Sequence, residues 1–452
     1  MRFWLIAGLG CCALTAVPLE AQSGRIAYDT FSLANGFRVI MSEDHSTPIV
    51  AVDIWYDVGG RVERPGRSGF AHLFEHMMFQ GSAHVKKAEH FQLVQRAGGT
   101  MNGSTREDRT NYWDLVPSNR LNLALWLEAD RMRSLAITDS NFHNQRETVK
   151  EERRLQVDNQ PYVPAFLDGM AWPFDTVSCY AYGHSLYGSM DDLNAAQLSD
   201  VQNFFNTYYA PNNATLVVVG DFNPTELRRL ATRYFSGIPS QPVPPAAPCT
   251  YRIAPGIQRR EVQDPHANVP ATIRLYRIPP HGDPDTPALE LLGIILGRGE
   301  SSRLNEEVVR REKAALVTQV QVNPLESRRG PGIMLVLAIA NQGVAVEHLD
   351  TLVGAQLDSV RARGVTADEL TKAKNTFRAG FIETRETILN KAEELHHYLM
   401  FHDSLAEINS DLDRFLAVSA DDIRRVAAKY LDPENATVIT VRTVAPATGG
   451  GQ

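Results

Sequence analysis

Tyr208-Tyr209-Ala210-Pro211-Asn212-Asn213-Ala214-Thr215-Leu216-Val217-Val218-Val219 returns near the other end of the chain as Tyr430-Leu431-Asp432-Pro433-Glu434-Asn435-Ala436-Thr437-Val438-Ile439-Thr440-Val441. Each copy reads as the end of an amphipathic helix, a Pro-Asn turn and an apolar strand. A unit repeated at this distance makes the chain two halves of like topology. Between them, prolines at 239, 242, 244, 245, 248 and 255 interrupt any regular element and form a semi-rigid linker. Alternating strands such as Phe37–Met41 and Val50–Tyr56 stand beside long helices such as Leu121–Arg133 and Ala367–Thr384, so each half is an α+β domain. The division expected is 22–235, a linker 236–256, a second domain 257–445 and a flexible tail 446–452.

Composition restricts the functions available. The chain has 452 residues, 43% apolar and 22% charged, which is ordinary for a globular protein. Lys and Arg number 45 against 53 Asp and Glu, for a net charge of −8, and no basic tract with stacking aromatics offers itself to nucleic acid. Met1-Arg2-Phe3-Trp4-Leu5-Ile6-Ala7, apolar onward to Val17 and ending in small residues near Ala21, reads as a secretory leader over 1–21. It is too short to span a bilayer, so the mature chain is expected to be exported, periplasmic or secreted, with no membrane span. Cys11 and Cys12 leave with the leader, and Gly8-Leu9-Gly10-Cys11 is a poor lipoprotein box. Cys179 and Cys249 remain, either paired in an oxidising compartment or free and buried.

The chemistry is concentrated in His72-Leu73-Phe74-Glu75-His76. On a helix His76 lies about 40° round the axis from His72, and Glu75 about 60° round on the other side, so all three face one point. Two converging neutral imidazoles suit Zn²⁺, and an adjacent carboxylate that does not ligate can take a proton from water. The order inverts His-Glu-x-x-His. Phe70, Ala71, Leu73, Phe74, Met77, Met78 and Phe79 flank the motif, so the helix is expected to be buried with its polar groups partnered. A third ligand must come from elsewhere. Asp139, Ser140 and Asn141 are N-cap candidates for a helix over Phe142–Gln156, whose inward stripe is Phe142, Gln145, Val149, Glu152 and Gln156. Glu152 falls on that stripe; Glu147 and Glu151 fall outside it.

These residues resemble the pitrilysin/insulysin family of zinc peptidases, the inverzincins. The likeness is carried by the run Gly69–Ser82, by Val58–Gly66 ahead of it, and by Gly98–Thr105, Glu152 and Tyr208–Asp221 after it. It is nearest to the mitochondrial-processing-peptidase-like branch with half-length, exported bacterial subunits. The resemblance implies that His72, His76 and Glu152 bind one Zn²⁺ per chain and that Glu75 is the general base. It implies a mostly antiparallel sheet in each domain, helices on one face, and two domains forming a half-shell. Thr100–Thr105 resembles the family's edge strand, to which an extended or unfolded peptide adds, with Asn102 and Gly103 at the substrate-contacting positions; on the residues alone, Asn-Gly is a hairpin turn.

The departures from the family pattern matter too. Where the family has a second glutamate two helical turns before the ligand, this chain has Gln145, which can hydrogen-bond beside the ligands but cannot accept a proton. The family's Arg/Tyr pair, which orients substrate, has here Arg311 and Thr318, so a homologous noncatalytic subunit, or a second copy, is expected to complete the site. Gly297–Leu304 is either a family glycine-rich segment that handles substrate or a plain turn whose Ser301 or Ser302 caps the next helix. The function expected is zinc-dependent hydrolysis of peptide bonds; the alternative is a catalytically weak scaffold subunit of an exported complex.

Overall fold

The structure, a computed structural model, describes residues 24–174, 178–244, 246, 247, 249, 257–328 and 330–444. The expected leader, the end of the linker and the tail from 446 lie outside the described residues. Two sheets are present. The first contains β1 (Asp29–Ser32), β2 (Arg38–Glu43), β3 (Ile49–Tyr56), β4 (Thr100–Thr105), β5 (Thr110–Pro117) and β6 (Ala214–Gly220), in the order β1-β2-β6-β3-β5-β4. The second contains β7 (Gln258–Asp264), β8 (Ala271–Ile278), β9 (Ala315–Val322), β10 (Gly332–Ala340) and β11 (Ala436–Thr443), in the order β7-β11-β8-β10-β9.

With β1 set aside, the two orders are the same. β2 runs parallel to β6, as β7 does to β11, and every other pairing is antiparallel. The register repeats as well: Tyr56 faces Ala214, and Tyr276 faces Ala436. The repeated unit has a physical job. In each copy its asparagine side chain, Asn213 or Asn435, donates to the carbonyl of the tyrosine that ends the preceding helix, Tyr208 at 2.9 Å or Tyr430 at 3.1 Å. That bond satisfies a helix carbonyl and turns the chain into the strand.

Each half's own helices cover one face of its sheet, as the resemblance implied. On the first, Phe74, Leu125, Phe142, Val201 and Phe235, each from a different helix, pack on Val39, Val52, Ile54, Leu216 and Val218. The opposite faces are sealed by an exchange between the halves. Ile388, Ala392, Leu395 and Tyr398 of the helix Ile388–Phe401 cover Ile40, Ala51, Val217 and Val219 of the first sheet. Ala165 and Met170 of the helix Val163–Ala171, with Phe174 and Tyr182, cover Ile273, Leu275, Leu335 and Ile439 of the second. Gly169 permits this approach, since a Cβ there would stand 2.5 Å from Ile439 Cδ1. Burying each such Leu or Ile stabilises by about 1.5–3 kcal/mol, so the exchange ties the two halves into one cooperative structure.

The exchange also has polar ties. Lys391 pairs with Asp44 at 2.5 Å, Nε2 of His396 lies 3.0 Å from the carbonyl oxygen of Asp53, and the His396 ring stacks on Trp55. Cys179 and Cys249 are joined in a disulfide, which settles the alternative the sequence left open. Among the described residues, no helix is long and apolar enough to cross a membrane.

Candidate metal centre and active-site cleft

The helix Phe70–Met77 carries the motif, and its apolar residues Phe70, Leu73, Phe74 and Met77 are buried as the flanks suggested. No serine or threonine caps it. Both oxygens of the Glu63 side chain take the backbone N–H groups of Gly69 and Ala71, each at 2.8 Å, so a carboxylate sits at the positive end of the helix. Nε2 of His184 lies 2.8 Å from Glu63. Burial disfavours charge on His184, but the hydrogen bond to Glu63, the charge of Glu63 and the Tyr180 carbonyl together outweigh it and raise the ring's pKa. Gly69 has φ of +82°, and a Cβ there would meet Tyr187 O and Gly188 Cα at 3.0 Å. The glycine thus lets the chain around Gly188 pass close, which brings the Tyr187 ring to 5.1 Å from that of His72.

The second helix spans Asp139–Arg153. It starts earlier than the sequence suggested: Thr138 is the N-cap, accepting from the Asn141 amide at 3.2 Å. Phe142, Gln145 and Val149 are buried, Glu152 is partly so, and Glu147 and Glu151 are exposed, as the stripe required. Gln156 departs from the stripe and is exposed. Beyond Arg153 the helix widens into a π-turn, Arg154–Asp158, which slips the register by one residue and buries Val157 instead.

The two helices bring His72, His76 and Glu152 together, one donor atom from each within 4.8 Å of the others. Nε2 of His76 is 3.1 Å from Glu152 Oε2, and Nε2 of His72 is 3.7 Å from Oε1. Tetrahedral zinc with bonds of about 2.1 Å sets its donors about 3.4 Å apart, so these spacings fit the ion with small adjustments. Nδ1 of His72 is buried without a hydrogen-bond partner. Burial, with the charge of His76, lowers the pKa of His72 to about 4, so this ring is neutral, the ligating form. Burial disfavours charge on His76 too, yet its hydrogen bond to Glu152 and the charges of Glu152 and Glu75 together raise its pKa, and the same bond lowers that of Glu152. Ring and carboxylate thus hold each other where an ion would bridge them. Gln145 lies on the buried stripe and its contact also favours charge on His76, which places it beside the three donors and outside their set.

Glu75 stands next to this group and is not one of its donors. Its Oε2 accepts from Thr105 Oγ1 at 2.6 Å. Burial pushes its pKa up, and the Thr105 bond and the His76 charge pull it partly back. Thr105 ends β4, and β4 is the free edge of the first sheet, so Asn102 and Gly103 do lie on an edge strand, paired with Trp113 and Tyr112 of β5. Asn102 is exposed.

A cleft of about 270 Å³ opens here, lined by His72, Glu75 and Gly103, by Met170 from the exchanged helix, and by Leu325 from the second half. Arg311 and Thr318 are not among its lining residues. Arg311 is exposed and pairs with Glu307 one turn away, and Thr318 lies on β9. Nor does Gly297–Leu304 reach it. Ser302 there donates to the Gly299 carbonyl at 2.7 Å within a turn, and neither serine caps the following helix by its side chain. Sequence reasoning missed Thr105, Glu63 and Tyr187. Only the short spacing from Asn102 to Thr105 offered a signal.

Known proteins give a consistent picture. Residues 38–181 match the family model described as insulinase (peptidase family M16), and residues 195–377 match the one described as peptidase M16 inactive domain. The zinc protease PqqE of Helicobacter pylori is 30% identical over 431 residues, 94% of this chain and 95% of that protein. The probable mitochondrial-processing peptidase subunit beta of Arabidopsis thaliana is 22% identical over 421 residues, 88% and 75% of the respective chains. Among solved structures, that of a protease from Helicobacter pylori superposes with a TM-score of 0.86 at 28% identity, covering 92% of this chain and all of that one (100%).

Proposed function

The chain belongs to the insulinase family of peptidases, peptidase family M16, and from that premise we propose that it is an exported zinc endopeptidase that cleaves extended or unfolded peptides. The observation that carries the reading is the convergence of His72, His76 and Glu152 from two helices, with Glu75 beside them and outside the donor set. These three residues would hold one zinc ion, which supplies Lewis acidity that brings a water's pKa towards about 7 and polarises a peptide carbonyl. Glu75 is the base. Its Oε2 is held by Thr105, which leaves Oε1 to accept the proton from water and return it to the leaving amine. Burial raises its pKa towards the range where one carboxyl can both take and release a proton.

Substrate is read through its main chain. An extended peptide adds to the free edge of β4 at Asn102 and Gly103, which lays it along the cleft towards Glu75. Main-chain pairing tolerates many side chains, so unfoldedness and access select more than sequence does. The exposure of Arg311, outside the cleft, supports a partner subunit, homologous or a second copy, that completes the site. The leader-like start of the sequence and the Cys179–Cys249 disulfide support export to an oxidising compartment.

Gln145, in place of an acid beside His76, favours a second reading, a metal-holding scaffold with little turnover. One experiment separates the two. A quenched-fluorescent unstructured peptide is offered to the purified chain, alone and with a candidate partner, with Glu75→Gln in parallel. Zinc-dependent cleavage that falls by about 10²–10⁴ in the variant, with zinc retained, is expected. Cleavage by the variant at the wild-type rate refutes Glu75 as base, and no cleavage in either setting favours the scaffold.

A further inference from the structure

Another cluster of metal-binding side chains lies away from this cleft. His281, in the loop after β8, and His397 and His402, on and at the end of the exchanged helix Ile388–Phe401, each offer one donor nitrogen within 4.8 Å of the other two. Nε2 of His281 and Nε2 of His397 are 2.9 Å apart, with the ring planes nearly perpendicular at 85°. The His402 ring centroid lies 5.4 Å from that of His281. Its Nδ1 is 3.3 Å from the Glu407 carboxylate, which can hold the proton on that nitrogen and leave Nε2 with its lone pair.

The backbone maintains this geometry. Gly282 has φ of +89°, and a Cβ there would press to 3.0 Å on the carbonyl oxygen of Phe401, so glycine alone lets the loop carrying His281 close on the helix end. The His281 amide is fixed in turn by the Ser327 carbonyl at 3.2 Å. All three histidines are partly exposed as residues, and the His402 side chain itself is 8% exposed.

We propose that His281, His397 and His402 form a second zinc site, with Glu407 as the outer partner of His402. Three imidazoles and one open position are a known tetrahedral zinc set, and nitrogen donors of this kind prefer Zn²⁺, Co²⁺, Ni²⁺ or Cu²⁺ to Mg²⁺ or Ca²⁺. Tetrahedral bonds of about 2.05 Å place donors about 3.35 Å apart, so the 2.9 Å pair needs to open by less than about half an ångström. The role follows from position. The exchanged helix, itself part of the second half, would be clamped at its end to a loop of that same half, so that a metal fixes the arm that reaches across to the first sheet. This inference does not rest on the peptidase reading.

The test uses the untagged full chain in the His72→Gln/His76→Gln background, where the cleft has lost two donors. The probe is Co²⁺ alone, read by visible absorption and by metal content after dialysis, with circular dichroism to check the fold. About one equivalent bound with a tetrahedral spectrum, and its loss on adding His402→Gln or His281→Gln, is expected. A folded background variant that binds no Co²⁺ overturns the proposal. So does binding that survives both added substitutions. If an added substitution prevents folding, the background variant's own spectrum and metal content decide.

Discussion

Thr105→Val tests how the base is held. The substitution keeps the shape of a side chain that is only 7% exposed and removes the hydroxyl that donates to Glu75 at 2.6 Å. A hydrogen bond to a charged group contributes about 1.5–3 kcal/mol, and each 1.36 kcal/mol is a factor of ten, so kcat should fall about 10- to 150-fold. KM should change little, because the bond orients the base and does not touch substrate. The pH profile gives an independent check with a definite sign. The Thr105 bond pulls the Glu75 pKa down against the effect of burial, so its loss lets that pKa rise. A base acts only when deprotonated, so the acid limb of the kcat profile should move to higher pH. The assay is cleavage of a quenched-fluorescent unstructured peptide across pH, with zinc content measured in the same samples. A wild-type kcat and an unmoved acid limb, in a folded and zinc-loaded variant, would refute the reasoning.

Two further outcomes concern the fold. Leu395→Ala empties a fully buried place between the exchanged helix and the first sheet, and should cost about 2–5 kcal/mol in denaturant unfolding; a loss below about 1 kcal/mol would mean that the helix does not seal this face. Cys179→Ser with Cys249→Ser opens a closure of 70 residues, worth about 4 kcal/mol on chain-entropy grounds, so the variant and the reduced wild type should melt lower by similar amounts, and equal stability of oxidised and reduced protein would count against the bridge as a fastening of the fold.

Much of the site was legible because it is local. The spacing of His72, Glu75 and His76 is a property of one helical turn, and Glu152 was found from a stripe that also carries Phe142, Gln145 and Val149. The same stripe failed at Gln156, because periodicity assumes a uniform helix and the π-turn after Arg153 breaks that uniformity. The duplicated helix-turn-strand unit revealed two like halves, and its asparagine bonds explain why those residues recur. The exchange of the helices Val163–Ala171 and Ile388–Phe401 was not legible. An apolar helix face says that it will be buried, not which sheet receives it, and here the partners are a hundred residues away or more. The Thr105 bond escaped for a similar reason, since it joins side chains from a strand and a helix thirty residues apart; the Glu63 cap is local, but it depends on the path of the turn between Glu63 and Gly69, which an apolar pattern does not specify.

The most direct measurement is anomalous diffraction at the zinc edge from crystals of the full chain grown with Zn²⁺. The expected result is a peak about 2.1 Å from Nε2 of His72, Nε2 of His76 and an oxygen of Glu152, with Glu75 alongside and unbonded to it. Density that shows no zinc among these three residues, or Glu152 turned away from the two rings, would contradict the proposed peptidase centre.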